Sequence, residues 1–198
     1  MKMRLGKEED FSEFKKELRL RLEGRNTRIL ENPGYTSAAV MILFMNRDSE
    51  PHLLLTQRSD KVKTHKGQMS LPGGGRDSTD RDILETAFRE TYEEVGIRPD
   101  KIEHLGRFDD YISIFGFHVT VFVGAVEYPV EYTFCQDEID AYLEVPVRIF
   151  VNREYGKVQY ITYEGKEYKI YHYFYGGLEI WGLTARILTD FAEEVLYK

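Results

Sequence analysis

The chain has 198 residues, 42% of them hydrophobic and 31% charged, which excludes intrinsic disorder and is enough to bury one full core. A formal net charge of −7 excludes nucleic-acid binding through a broad basic face, although a local Lys/Arg cluster can still bind an anionic small molecule. The single Cys135 excludes an internal disulfide and fits a reducing compartment. The longest apolar run, Ala38 to Met45, is too short to span a bilayer, and the opening MKMRLGKEEDF lacks the apolar stretch of a signal peptide. A soluble cytoplasmic protein is expected, without nucleic-acid or membrane partners.

Phe11, Phe14, Leu18 and Leu22 recur at helical spacing, so an amphipathic helix is predicted over Asp10 to Leu22, stopping at Gly24. It can pack on the domain or on a partner subunit, which leaves a homodimer open. Residues 1–34 are read as an extension and 35–198 as the domain proper. Ala38 to Met45 reads as a buried strand and His52 to Thr56 as a second. A basic, polar segment follows from Gln57 to Gln68, and Met69 to Leu71 leads into three glycines, Gly73 to Gly75. A helix is predicted over Asp82 to Val95, with Gly96 as a left-handed cap and Pro99 blocking continuation.

Strands are predicted over His104 to Phe108 and Ile112 to Val126, then a short helix over Gln136 to Leu143 and a strand over Val145 to Phe150. Lys157 to Tyr163 and Glu167 to Tyr175 read as a hairpin turning at Glu164-Gly165. A final helix runs from Ile180 to Leu196, with Trp181, Ala185, Leu188 and Ala192 at core spacing. The mixture lacks a regular βαβ alternation, so the fold class is α/β (α+β), a sandwich of helices and sheet.

The chemistry concentrates in LPGGGRDSTDRDILETAFRETYEEVGI, Leu71 to Ile97. At roughly 100° per residue, Ile83, Leu84, Ala87, Phe88, Thr91 and Val95 share a core face. Glu90, Glu93 and Glu94 fill a neighbouring arc, and their carboxylates converge. Like charges that close raise one another's pKa unless a cation compensates, and hard oxygen ligands suit Mg2+ or Mn2+. Gly73 and Gly74 let backbone approach a metal or phosphate closely. Arg89 is placed to make ion pairs that hold the helix.

The pattern Arg89-Glu90-x-x-Glu93-Glu94-x-Gly96-Ile97, preceded by Gly73-Gly74, resembles the Nudix box, G-x5-E-x7-R-E-U-x-E-E-x-G-U with U a bulky aliphatic. The strict position of the first box Glu holds Arg81, and Thr91 stands at the first U. Counted from Gly74 the loop is one residue longer than the box, and Asp82 or Glu85 is left as the partner of Arg89. The resemblance implies a Nudix-type α/β/α sandwich with a mixed sheet between helices. It also implies metal-assisted attack of water on a diphosphate. Glu90, Glu93 and Glu94 would hold the metal. Glu93, Glu94 or, from outside the box, Glu138 would serve as general base.

Upstream, LLTQRSDKVKTHKGQMSLPGG (Leu54 to Gly74) is similar to the signature L-L-T-x-R-S-x3-R-x3-G-x3-F-P-G-G of Nudix enzymes that hydrolyse coenzyme A. Lys63 replaces Arg and Leu71 replaces Phe; Lys cannot grip a phosphate bidentately. IWGLTARIL at Ile180 to Leu188 also looks like that subfamily. Arg58, Lys63, His65 and Lys66 supply local positive charge, and Arg58, Lys63, His65, Gly73 and Gly74 are the candidate substrate contacts. The histidines show no zinc-binding spacing. Three functions stay open: a coenzyme A diphosphatase, a Nudix hydrolase of another nucleoside diphosphate derivative such as ADP-ribose or a dinucleotide, and a catalytically silent nucleotide-binding module.

Overall fold

The structure is a computed structural model that describes residues 8–31, 34–61, 67–135, 137–163 and 165–197. The helices are α1 (Glu8–Glu23), α2 (Ile83–Val95), α3 (Arg148–Val151) and α4 (Gly182–Phe191); α4 widens into a π-helical turn over Ala192–Leu196. The strands are β1 (Thr36–Arg47), β2 (Glu50–Arg58), β3 (Met69–Ser70), β4 (Gly73–Gly75), β5 (Ile102–Ile112), β6 (Phe117–Val126), β7 (Ile139–Pro146), β8 (Tyr155–Tyr163), β9 (Lys166–Tyr175) and β10 (Leu178–Ile180).

β1 is the central strand of a seven-stranded mixed sheet. It runs parallel to β6 from Thr36↔Phe117 to Phe44↔Ala125. Its other edge is divided: Phe44 to Arg47 pair antiparallel with β2, whereas Ala38 to Val40 pair antiparallel with the glycine strand β4. The division inserts the glycines into the sheet. β5 pairs with β6, and β7 pairs with β2. A separate antiparallel sheet is ordered β10-β9-β8.

Strand alternation sends neighbouring side chains to opposite faces. Ala39, Met41, Leu43 and Leu54 join Ala87 and Val95 of α2 in one core. Ala38, Ile42, Phe44, Leu53 and Leu55 join residues of α1 and α4 in the other. The result is the expected α/β/α layering with a mixed sheet.

Several elements differ from the sequence reading. The segment expected as a short helix ending at Leu143 is strand β7 from Ile139 onward; Gln136 lies outside the described residues. Its backbone groups pair with β2 from Arg58↔Ile139 to His52↔Pro146, and that long-range ladder outweighs local helical spacing. The expected strand over Val145 to Phe150 divides into the end of β7 and the helical turn α3. Ile112 to Val126 is broken by a turn, where Ser113 N–H donates to Phe117 O at 2.9 Å. The last helix starts at Gly182, because Ile180 pairs in β10 with Tyr173. Trp181, placed at core spacing by sequence, precedes the helix and is 39% exposed.

The N-terminal helix has no core of its own. Phe11, Phe14, Leu18 and Leu22 are buried in the α4-side core. Phe14 meets Phe44 of β1 edge-to-face at 5.2 Å between ring centroids. Arg21 Nη1 donates to the Val195 carbonyl at 2.7 Å, satisfying an orphan acceptor at the end of the last helix. Among the described residues no helix is long and apolar enough to cross a membrane. Removing the Phe14 ring leaves a cavity at this shared core, so Phe14→Ala lowers unfolding free energy by about 3–5 kcal/mol. Urea denaturation measures it; a change below about 1 kcal/mol would show that α1 is detachable from the domain.

Candidate active site

Helix α2 begins where Asp82 caps it: its carboxylate accepts from Glu85 N–H at 2.9 Å. Glu85 reaches back to accept from Arg81 N–H at 2.6 Å and from Arg81 Nε at 3.0 Å, a reciprocal arrangement close to a capping box. The helix ends at Gly96, whose φ of 76° is left-handed and whose N–H donates to Tyr92 O at 2.8 Å. Thr91, at an apolar position of the box, is buried and donates its hydroxyl to Ala87 O at 2.7 Å.

Arg89 is the hub of the helix. It donates from Nε to Asp80 Oδ1 at 2.9 Å and from Nη2 to Asp80 Oδ2 at 3.1 Å, a bidentate pair. Nη2 also donates to the Gly75 carbonyl at 2.9 Å. Nη1 donates to Glu90 Oε1 at 2.9 Å and Glu93 Oε2 at 2.8 Å. The carboxylate partner expected at Asp82 or Glu85 is thus Asp80. Asp82 is committed to the helix cap and Glu85 to Arg81. Asp80 also accepts from Thr86 Oγ1 at 2.8 Å and Asp77 N–H at 2.9 Å. A sequence signal did exist: five residues separate Gly74 from Asp80, which is the box spacing. The extra residue therefore lies between Asp80 and Arg89.

Glu94 is 1% exposed, and Gly73 N–H donates to its Oε2 at 3.3 Å. Burial pushes its carboxyl up to about 8; the Arg58 charge opposes this, and the Glu90 and Glu138 charges reinforce it. Burial also raises Glu90, against the pull of Arg89 and with a push from Glu93 and Glu138. Glu90 lies so close over Gly74 that a Cβ on that residue would collide with its carboxylate. A Cβ on Gly73, at φ 151°, would collide with the Ala39 carbonyl.

The structure therefore sets Glu94 against Gly73 and Glu90 over Gly74, with the Glu138 charge acting on both carboxyls. Glu138 arrives by a backbone stitch, since Ser59 N–H donates to its carbonyl at 2.7 Å. That stitch also sets it beside Arg58, whose Nε is buried without a hydrogen-bond partner among the described residues. Lys63, His65 and Lys66 lie outside the described residues. Among the described residues no three acidic, His or Cys side chains are gathered closely enough to hold a metal ion as they stand. Nη1 of Arg89 engages both Glu90 and Glu93. The donor chemistry nonetheless fits a divalent cation: the ligands are hard oxygens, and their mutual repulsion is only partly offset by Arg58 and Arg89.

The Arg89 guanidinium holds Asp80 well below the usual carboxylate range. Asp80→Asn removes the charge from a nearly buried pair, so stability at pH 7 falls by about 3 kcal/mol. Asp80 contributes fully above its unfolded pKa of about 4, and that contribution fades below it. The difference in urea midpoint between wild type and variant therefore closes on acidification below about pH 4. A pH-independent difference would mean the ion pair is not its source.

Comparison with known proteins agrees with this geometry. Residues 35–160 match the family model described as the NUDIX domain. The chain is 34% identical over 158 residues to the Nudix hydrolase NudL of Klebsiella pneumoniae subsp. pneumoniae, covering 80% of this chain and 82% of that protein. It is 33% identical over 165 residues to NudL of Escherichia coli O7:K1, covering 83% and 85%. The crystal structure of the Nudix hydrolase RenU from M. smegmatis shares the fold, with a TM-score of 0.50 at 18% identity over 60% of this chain and 75% of that one. The chain belongs to the Nudix family, and it is a hydrolase that acts on pyrophosphate bonds.

Proposed function

We propose that this Nudix hydrolase cleaves the pyrophosphate of coenzyme A or its thioesters, giving 3′,5′-ADP and (acyl-)phosphopantetheine. The observation that supports this substrate within the nucleoside diphosphate derivatives is the segment Leu54 to Gly74 and its placement. Its signature residues Arg58, Gly73 and Gly74 border the same carboxylates, with the Arg58 Nε buried and without a hydrogen-bond partner among the described residues. A guanidinium in that state suits a phosphate oxygen.

Glu90, Glu93 and Glu94 are the residues that would hold the divalent cation, Mg2+ or Mn2+. Bound there, the cation supplies Lewis-acid polarisation of the phosphate oxygens and a lower pKa for the attacking water. The chain's own groups do the rest. Gly73 and Gly74 allow backbone to approach the diphosphate without a side chain between them. Arg58, with Lys63 and His65 from the adjoining segment, neutralises phosphate charge. Glu138, exposed at the rim, is the candidate base, with Glu93 and Glu94 as the box alternatives. Water oxygen bonds to phosphorus, its proton passes to the carboxylate, and the bridging P–O bond breaks as the second phosphate leaves.

Turnover of a panel of diphosphates with Mg2+ or Mn2+, followed by product chromatography, tests the substrate. Coenzyme A and acyl-coenzyme A are expected to give 3′,5′-ADP with the highest kcat/KM. Far better turnover of ADP-ribose or a dinucleotide would overturn the coenzyme A reading, and binding without turnover would favour a silent module. Glu94→Gln keeps the shape of a buried side chain while removing its ability to ionise against a bound cation. Its melting temperature is expected at or above wild type, with kcat lowered about 100-fold or more, since even outer ligand partners cost 10–100-fold. Loss of folding would assign Glu94 a structural role instead.

A further inference from the structure

The chain between β6 and β7 crosses the α2 face of the sheet and is tied to the end of α2. Thr133 N–H donates to Val95 O at 3.0 Å, and Cys135 N–H to Glu94 O at 3.3 Å. Phe134 stands between those ties. Its ring stacks on Tyr132 at 6.0 Å and on Tyr142 of β7 at 5.2 Å, and Tyr132 meets Tyr142 at 4.3 Å. The Tyr132 hydroxyl donates to Glu144 at 2.8 Å, and Arg47 pairs with the same carboxylate at 2.9 Å. The three rings therefore form a slab with a fixed base.

Tyr132 and Phe134 pack against the α2-side core and account for its cover. Tyr142 is outside that cluster and 41% exposed. It lies opposite Thr56 in the β2–β7 ladder; Arg58, two residues on, lies opposite Ile139 just past a register irregularity between Gln57 and Arg58. Glu138 sits four residues before Tyr142 and is felt by both Glu90 and Glu94. An exposed aromatic ring, a guanidinium whose Nε has no hydrogen-bond partner among the described residues and the Glu94 carboxyl that its charge acts on thus lie along the β2–β7 edge. An aromatic face takes a nucleobase by stacking, and a guanidinium takes its phosphate.

We infer that Tyr142, backed by Phe134 and Tyr132, is the platform on which the base of the nucleoside diphosphate substrate stacks, with Arg58 beside the phosphates. This rests on the reading of the carboxylate rim as a nucleoside diphosphate hydrolase and adds a specificity-determining residue to it. Stacking is sequence-tolerant because every base has a π-face, so the slab selects for a flat heterocycle and leaves the phosphates to Arg58.

The test compares wild type, Tyr142→Phe and Tyr142→Ala. Steady-state kinetics use coenzyme A, ADP-ribose and a base-free dialkyl diphosphate. Tyr142→Ala is expected to raise KM for the two adenine-bearing substrates roughly ten-fold, with kcat little changed. Its preference for them over the base-free diphosphate, measured as a ratio of kcat/KM, falls by the same factor. Tyr142→Phe keeps the ring and restores that preference. An NMR titration with ADP gives a readout that needs no turnover: upfield ring-current shifts of the Tyr142 protons appear in wild type. An unchanged KM and no Tyr142 shift would overturn the platform. So would equal losses on all three substrates accompanied by a lower melting temperature, which marks a purely structural slab. If wild type hydrolyses none of the diphosphates, the hydrolase reading fails, and the ADP titration alone still decides whether Tyr142 stacks.

Discussion

One guanidinium carries the electrostatics of the site. Arg89 binds the nearly buried carboxylate of Asp80 through two nitrogens, reaches the Gly75 carbonyl and touches both Glu90 and Glu93. Arginine suits this position because its planar fork offers five donors and stays charged. Burying Asp80 beside an ammonium or an amide would leave acceptors unsatisfied, at a cost of roughly 1–3 kcal/mol for each. The same contacts fix the glycine loop relative to the helix, since Asp80 and Gly75 lie at the loop's two ends.

A single positive charge cannot neutralise what surrounds it. Arg89 binds Asp80 through Nε and Nη2 and divides Nη1 between Glu90 and Glu93. Glu94 is buried with Arg58 as its nearest cationic influence, and Glu138 adds a further negative charge. Such crowding opposes stability, and binding a cation relieves it. Strain of this kind gathers at functional sites because the surrounding fold is firm enough to hold it. Here the firmness comes from α2, capped at both ends and seated on Ala39 and Met41 of β1.

The sheet supplies the other half of the geometry. β1 divides one edge between β2 and β4, so Gly73 and Gly74 lie in register with Val40 and Ala39. That register brings Gly73 N–H to Glu94 and leaves no space for a Cβ on Gly73, which faces the backbone of Ala39 and Val40. Tertiary pairing also recruits Glu138. The β2–β7 ladder and the Ser59 stitch carry it to Arg58 from 80 positions along the chain.

The sequence by itself determined what depends on neighbours close along the chain. The core face of α2, its Asp82 and Gly96 ends and the burial of β1 follow from helical and strand periodicity. The grip of Arg89 was legible in kind, and its partner was not. Asp82 and Glu85 stand nearest on the helical wheel, but Asp80 lies before the helix, on a loop whose path a wheel does not describe. Only the tertiary structure decided that Ile139 to Pro146 is a strand, because the β2 backbone supplies its hydrogen bonds. It also decided that the N-terminal helix completes the core and that Tyr142 lies opposite Thr56 in the β2–β7 ladder. These are contacts between segments far apart in sequence, and no local period encodes them.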